Sequence, residues 1–151
     1  MSRASARFAM AVHSLALLAA ADDWTTSERV AASVGTTAAH VRQLLARLAE
    51  AGLLEAREGR AGGYRLARRP DAIALSEVYR VFEPDGVLAA SPCKPGARCS
   101  IGVGMPRAFD ELSARARDAV VATLGQETIA DVARRALQIS RIPPPPGFHR
   151  V

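Results

Sequence analysis

The chain holds two cysteines, Cys93 and Cys99, separated by five residues in the segment Cys93-Lys94-Pro95-Gly96-Ala97-Arg98-Cys99. Lys94 and Arg98 set positive charge beside both sulfurs, the surroundings in which cysteines react with oxidants and electrophiles. Pro95-Gly96 can turn the loop so that the sulfurs meet. A disulfide also needs Cα atoms within about 7 Å, which spacing alone does not secure. A second chemistry is readable between residues 37 and 69. Ala39, His40, Arg42, Gln43 and Arg47 share the polar side of one helical stretch, with small side chains where a backbone would enter a groove and hydrogen-bonding groups beside them. From Arg57 to Arg69 there are five arginines and a single acid, Glu58. Such one-sided charge suits a segment lying along phosphates.

Enzymatic chemistry is not expected. The three histidines, His13, His40 and His149, stand in no nucleophile-base-acid pattern. No glycine loop opens a helix to hold a phosphate, and no paired zinc spacing occurs.

These residues need particular elements to position them. Thr25 and Glu28 have capping-box spacing, so a helix is expected to start at Thr25; Val30, Ala31 and Val34 give it an apolar face, and Gly35 stops it. Thr37 then caps a second helix, whose Val41, Leu44, Leu45 and Leu48 fall on one core-facing stripe. Leu53–Arg57 and Tyr64–Ala67 are strand candidates joined by the turn 58–63. The fold class expected is mostly α with a small β-hairpin: a winged helix-turn-helix domain plus a long dimerisation helix. The DNA surface would comprise Thr25, Thr37, Ala39 and His40, then Arg42, Gln43 and Arg47 on the helix and Arg60 at the wing tip. Arg42 and Gln43 are the expected base readers.

A chain of 151 residues with net charge +5 is long enough for one core and an appendage, and its basicity favours a polyanionic partner. Arg3 and Arg7 before an apolar run imitate an export signal. Phe8, Ala11, Val12, Leu15, Leu18 and Ala19 nevertheless repeat with helical period, and His13 and Ser14 interrupt the run, so a globular helix and a cytoplasmic protein without membrane contact are expected. Met10, Leu17 and Ala20 make the far side of that helix apolar too. One cover should be the winged-helix core and the other a partner element.

Beyond the wing, a helix is expected from Leu75 to Glu83, halted by Pro84-Asp85-Gly86. Pro106 would occupy the first turn of the next helix, in which Phe109, Leu112, Ala116, Ala119 and Thr123 form a coiled-coil-like seam. Thr128 and Asp131 cap a last amphipathic helix ending near Leu137. The organisation expected is therefore a winged-helix domain over 1–83, a cysteine loop over 84–104, dimerisation and C-terminal helices over 105–139, and a disordered proline-rich tail over 140–151.

Gly52-Leu53-Leu54, the wing Gly59-Arg60-Ala61-Gly62-Gly63-Tyr64-Arg65-Leu66, Ile73-Ala74-Leu75-Ser76-Glu77-Val78 and the loop at Cys93 together resemble the Rrf-type repressors, which include iron-sulfur, nitric-oxide and cysteine-metabolism regulators. The resemblance spans about residues 3 to 138. It implies a homodimer bound to double-stranded DNA at a palindromic operator, with a sensor loop at the start of the dimerisation helix. Cluster-binding members present three cysteines in this loop; here Met105 stands where the third is expected, and the first helix offers His13. Three readings stay open: a thiol switch at Cys93 and Cys99 without cofactor, an atypical iron-sulfur cluster on Cys93, Cys99 and His13, and passive cysteines in a regulator controlled by a partner protein.

Overall fold

Helix α1 (Arg3–Ala20) is the centre of the structure. In this computed structural model, residues 3–21, 23–83, 88, 98–143 and 146–148 are described. Ala11, Leu15, Leu18 and Ala19 of α1 are buried in one core with Val30 and Ala31 of α2 (Ser27–Val34) and the stripe Val41, Leu44, Leu45 and Leu48 of α3 (Ala38–Glu50). Strands β1 (Leu54–Arg57) and β2 (Gly63–Leu66) form an antiparallel hairpin in the register Leu54 to Leu66 and Arg57 to Gly63. Helices α4 (Leu75–Phe82), α5 (Ser100–Leu124) and α6 (Ile129–Ser140) complete the mostly helical fold expected.

The caps explain the helix-turn-helix geometry. Gly35 ends α2 in the left-handed region at φ 79°, where glycine carries no Cβ penalty. The Thr37 hydroxyl accepts from the His40 N–H at 3.3 Å and starts α3. The first cap is one residue later than expected. Thr26, not Thr25, accepts from the Arg29 N–H, because Thr25 is paired through its backbone with Tyr64 and is only 1% exposed.

The far cover of α1 is also different. Ile129 and Ala133 of α6 join the same core as α1, so the apolar side assigned to a partner element is covered by the chain's own last helix. The backbone locks this arrangement: Leu75 N–H donates to Glu127 O at 2.9 Å and Ile129 N–H to Ile73 O at 3.0 Å. Thr128 and Asp131 form the expected capping box.

Helix α5 begins at Ser100, six residues before Pro106, which lies inside the helix and not in its first turn. Gly102, Gly104 and Pro106 are each poor helix formers, so the local pattern hides these turns. Cys99 is their N-cap, its sulfur accepting from the Gly102 N–H at 3.4 Å. The C-terminal segment is not wholly a free tail either. Phe148 makes a bridge with Ala21, and the Arg29 guanidinium donates to Pro146 O at 3.3 Å and stands 4.6 Å from the Phe148 ring centre. The expected stop at Pro84-Asp85-Gly86 lies outside the described residues. No described helix is long and apolar enough to cross a membrane.

Candidate nucleic-acid interface

The stripe that buries α3 leaves Ala39, His40, Arg42, Gln43 and Arg47 exposed. Their environments differ. Gln43 has no side-chain hydrogen bond among the described residues, so its amide is available to a base edge. His40 stands 3.5 Å from the Thr36 hydroxyl through Nδ1. Arg42 reaches back to α2, donating to Glu28 Oε1 at 3.0 Å and to Ser27 Oγ at 3.1 Å. The Glu28 carboxyl is held below the usual carboxylate range, chiefly by its own backbone N–H and then by the Ser27 hydroxyl. Arg42 therefore braces the two helices, while Arg47 donates to the Val81 carbonyl and lies 4.8 Å from the Phe82 ring centre. Thr25, buried beneath the wing, offers no surface to a ligand.

The wing carries more internal pairing than its composition suggests. Arg65 pairs with Glu55 at 2.7 Å, Arg68 with Glu77 at 2.7 Å and Arg69 with Asp71 at 2.6 Å. Exposed pairs of this kind hold their partners weakly, typically by under about 1 kcal/mol, and can yield to a phosphate. Arg57 donates to the Ala61 carbonyl across the turn at 3.1 Å. Arg60 has no ion pair or hydrogen bond among the described residues and stands exposed at the tip.

Trp24 is a structural member of this site that periodicity did not reveal. Arg57 and Arg65 stand 4.4 Å and 4.6 Å from its ring centre, so one aromatic ring aligns two wing arginines just before the helix-turn-helix begins. The available signal was the chain's only tryptophan, placed two residues before the cap.

Of the sulfur site, Cys99 is described and Cys93 lies outside the described residues. Cys99 is exposed and caps a 25-residue helix. His13 Nε2 is 3.0 Å from Ser33 Oγ, between α1 and α2, and Met105 is exposed on α5. Among the described residues no group of three His, Cys, Asp or Glu side chains could hold a metal ion. With two cysteines in the sequence, a thioether at the third position and His13 beside Ser33, one chain offers three of the four ligands, usually thiolates, that a cluster takes.

Helix α5 buries none of its residues. Ile101, Met105 and Leu112 are 70%, 51% and 51% exposed and fall with Ala108 and Ala119 on one narrow face. Of the expected seam, Phe109 and Ala116 are half-covered and Leu112, Ala119 and Thr123 are open.

Comparison with known proteins bears on this arrangement. The family model Rrf2, described as an iron-dependent transcriptional regulator, matches residues 4–135. YwnA of Bacillus subtilis, named as an HTH-type transcriptional regulator, is 33% identical over 128 residues, covering 85% of this chain and 95% of YwnA. CymR of the same organism, also an HTH-type transcriptional regulator, is 31% identical over 109 residues, 72% of each chain. Its solved structure, described as the global cysteine regulator, superposes with a TM-score of 0.59 at 28% identity over 88% of this chain and 95% of that one. A transcriptional regulator from Lactobacillus plantarum superposes at 0.72 with 26% identity over 89% and 90%.

Proposed function

The chain belongs to the Rrf2 family of transcriptional regulators, DNA-binding proteins and not enzymes, and on that premise we propose that it is a repressor acting as a homodimer on a palindromic operator, with Cys93 and Cys99 modulating its affinity. The observation that carries the DNA reading is the union of an exposed polar face on α3 with a wing whose Arg60 is unpaired among the described residues. Gln43 reads bases; Ala39 permits close approach; Thr37, His40 and Arg47 flank the groove; Arg42 sets the angle between α2 and α3. Support for the dimer comes from the open apolar face of α5, which water would otherwise cover at a cost of about 25 cal/mol per Å2. Two such helices pairing place recognition helices on successive major grooves, about 34 Å apart.

The cysteine reading rests on the N-cap. The Cys99 sulfur holds the Gly102 N–H, and a bond to Cys93 or to a second subunit would divert that sulfur and loosen the first turn of α5. A shift of about 1.4 kcal/mol in relative affinity changes operator occupancy tenfold, so a small displacement suffices. The test is anisotropy of labelled operator DNA with reduced and mildly oxidised protein. Binding that responds to oxidant, recovers with reductant and ceases to respond in Cys93→Ser or Cys99→Ser supports the switch; a response unchanged in the double serine variant overturns it. Light scattering that reports a monomer with full operator affinity overturns the dimer.

A further inference from the structure

Between α1 and the exposed side of α3 lies a cavity of about 150 Å3 lined by Arg7, His40, Gln43, Leu44, Arg47 and Phe82. Its two cations are differently held. Stacking on Phe82 and the bond to the Val81 carbonyl anchor one edge of the Arg47 guanidinium, and its other N–H donors remain for a ligand. Arg7 is exposed and makes no hydrogen bond or ion pair among the described residues. His40, one turn before Gln43 on α3, supplies a further hydrogen-bonding group to the same space. None of the lining side chains is a carboxylate.

Near Arg7, Glu83 is buried with Oε1 unpartnered, and burial pushes its carboxyl up against the opposing pull of Arg7. Arg7 thus has an incompletely matched acid on one side and open space facing α3 on the other. Guanidinium groups bind tetrahedral oxyanions through paired N–H donors, and two of them here converge on a volume of that size. We infer that the cavity is a clamp for one phosphate group, with Arg7 of α1 as a member of the DNA-binding surface lying outside the helix-turn-helix and the wing. The inference rests on the DNA-binding reading for its source of phosphate, the duplex backbone; inorganic phosphate offers the same chemistry from solution.

The experiment compares parent, Arg7→Ala and Arg7→Lys for binding to operator and random duplex, in chloride and in inorganic phosphate at equal ionic strength, with melting temperatures in both buffers. Arg7→Ala is expected to bind both duplexes about tenfold more weakly and to flatten the salt dependence by about one unit per subunit, because a phosphate contact is lost without loss of base readout. Arg7→Lys should recover part of the loss, as a point charge in place of a fork. Competition by phosphate, or a phosphate-specific rise in melting temperature, present in the parent and absent in Arg7→Ala identifies a free anion as a second occupant. Loss of DNA affinity without that competition leaves the duplex backbone as the occupant. Arg7→Ala that matches the parent in affinity, salt slope and phosphate response overturns the clamp while the DNA reading stands. A parent that binds no duplex overturns the DNA reading, and the melting temperatures in phosphate then decide the clamp by themselves.

Discussion

Thr25 and Tyr64 are joined by two backbone hydrogen bonds, Thr25 N–H to Tyr64 O at 3.0 Å and Tyr64 N–H to Thr25 O at 2.9 Å. The segment that enters the helix-turn-helix is therefore also an edge of the wing sheet. With Trp24 against Arg57 and Arg65 one residue earlier, the wing is tied to the start of α2 by both backbone and side chains.

Gly63 is the residue that permits this pairing. It lies at φ +148°, and a Cβ there would stand 2.7 Å from the Thr25 carbonyl oxygen, whereas Gly59, at φ +97°, has open space around it. Gly63→Ala is expected to cost about 2 to 4 kcal/mol through combined strain and collision, and Gly59→Ala about 1 to 2 kcal/mol through strain alone. Urea unfolding of the two variants checks the order; equal losses refute the role given to the Thr25 contact.

Gln43→Ala and Arg60→Ala should fail in different ways. Loss of the amide relaxes preference at particular base pairs, by about 1 to 3 kcal/mol for each lost contact. Arg60→Ala weakens binding to all duplexes, with additional loss at A·T-rich flanks where a narrow minor groove attracts arginine. Competition titrations with operator variants and random DNA separate the two, and equal loss on both duplexes for Gln43→Ala refutes base reading.

Glu83 gives a pH-dependent effect whose sign follows from burial. Its carboxyl is raised in the folded state, so the folded protein holds that proton more tightly than the unfolded chain. Stability from this group is complete below the unfolded glutamate pKa and falls as pH rises through the folded value. Glu83→Gln should raise the melting temperature at neutral pH, with the gain shrinking on acidification towards pH of about 4. A gain that grows at low pH contradicts the assignment.

Phe148 and Arg29 form a contact far apart in the chain, with the ring centre 4.6 Å from the guanidinium carbon. Phe148→Ala and Arg29→Ala should each destabilise by about 0.5 to 1 kcal/mol, and the double variant by less than their sum. Additive losses in thermal unfolding show that the two side chains do not interact.

Local rules were sufficient wherever one helix supplied both cap and face. The α3 stripe, the Thr37 cap, the left-handed Gly35 stop and the Thr128–Asp131 box follow from spacing because their partners lie within a few residues. The choice between Thr25 and Thr26 could not be made that way. Both can cap a helix, and a strand 39 residues downstream decides between them by drawing the Thr25 backbone into the sheet.

The sequence by itself thus determined the helix-turn-helix, the hairpin and the family, since short-range periodicity and turn chemistry specify these elements. Tertiary structure alone decided which arginines are tied to neighbours and which stay free. It also decided that α6 covers the second face of α1, and that α5 starts at Ser100 under a Cys99 cap and keeps an open apolar face. The physical reason is that coverage and pairing are properties of surfaces brought together from distant parts of the chain. An apolar stripe announces that it needs burial, but its partner is selected by the packing of the whole core.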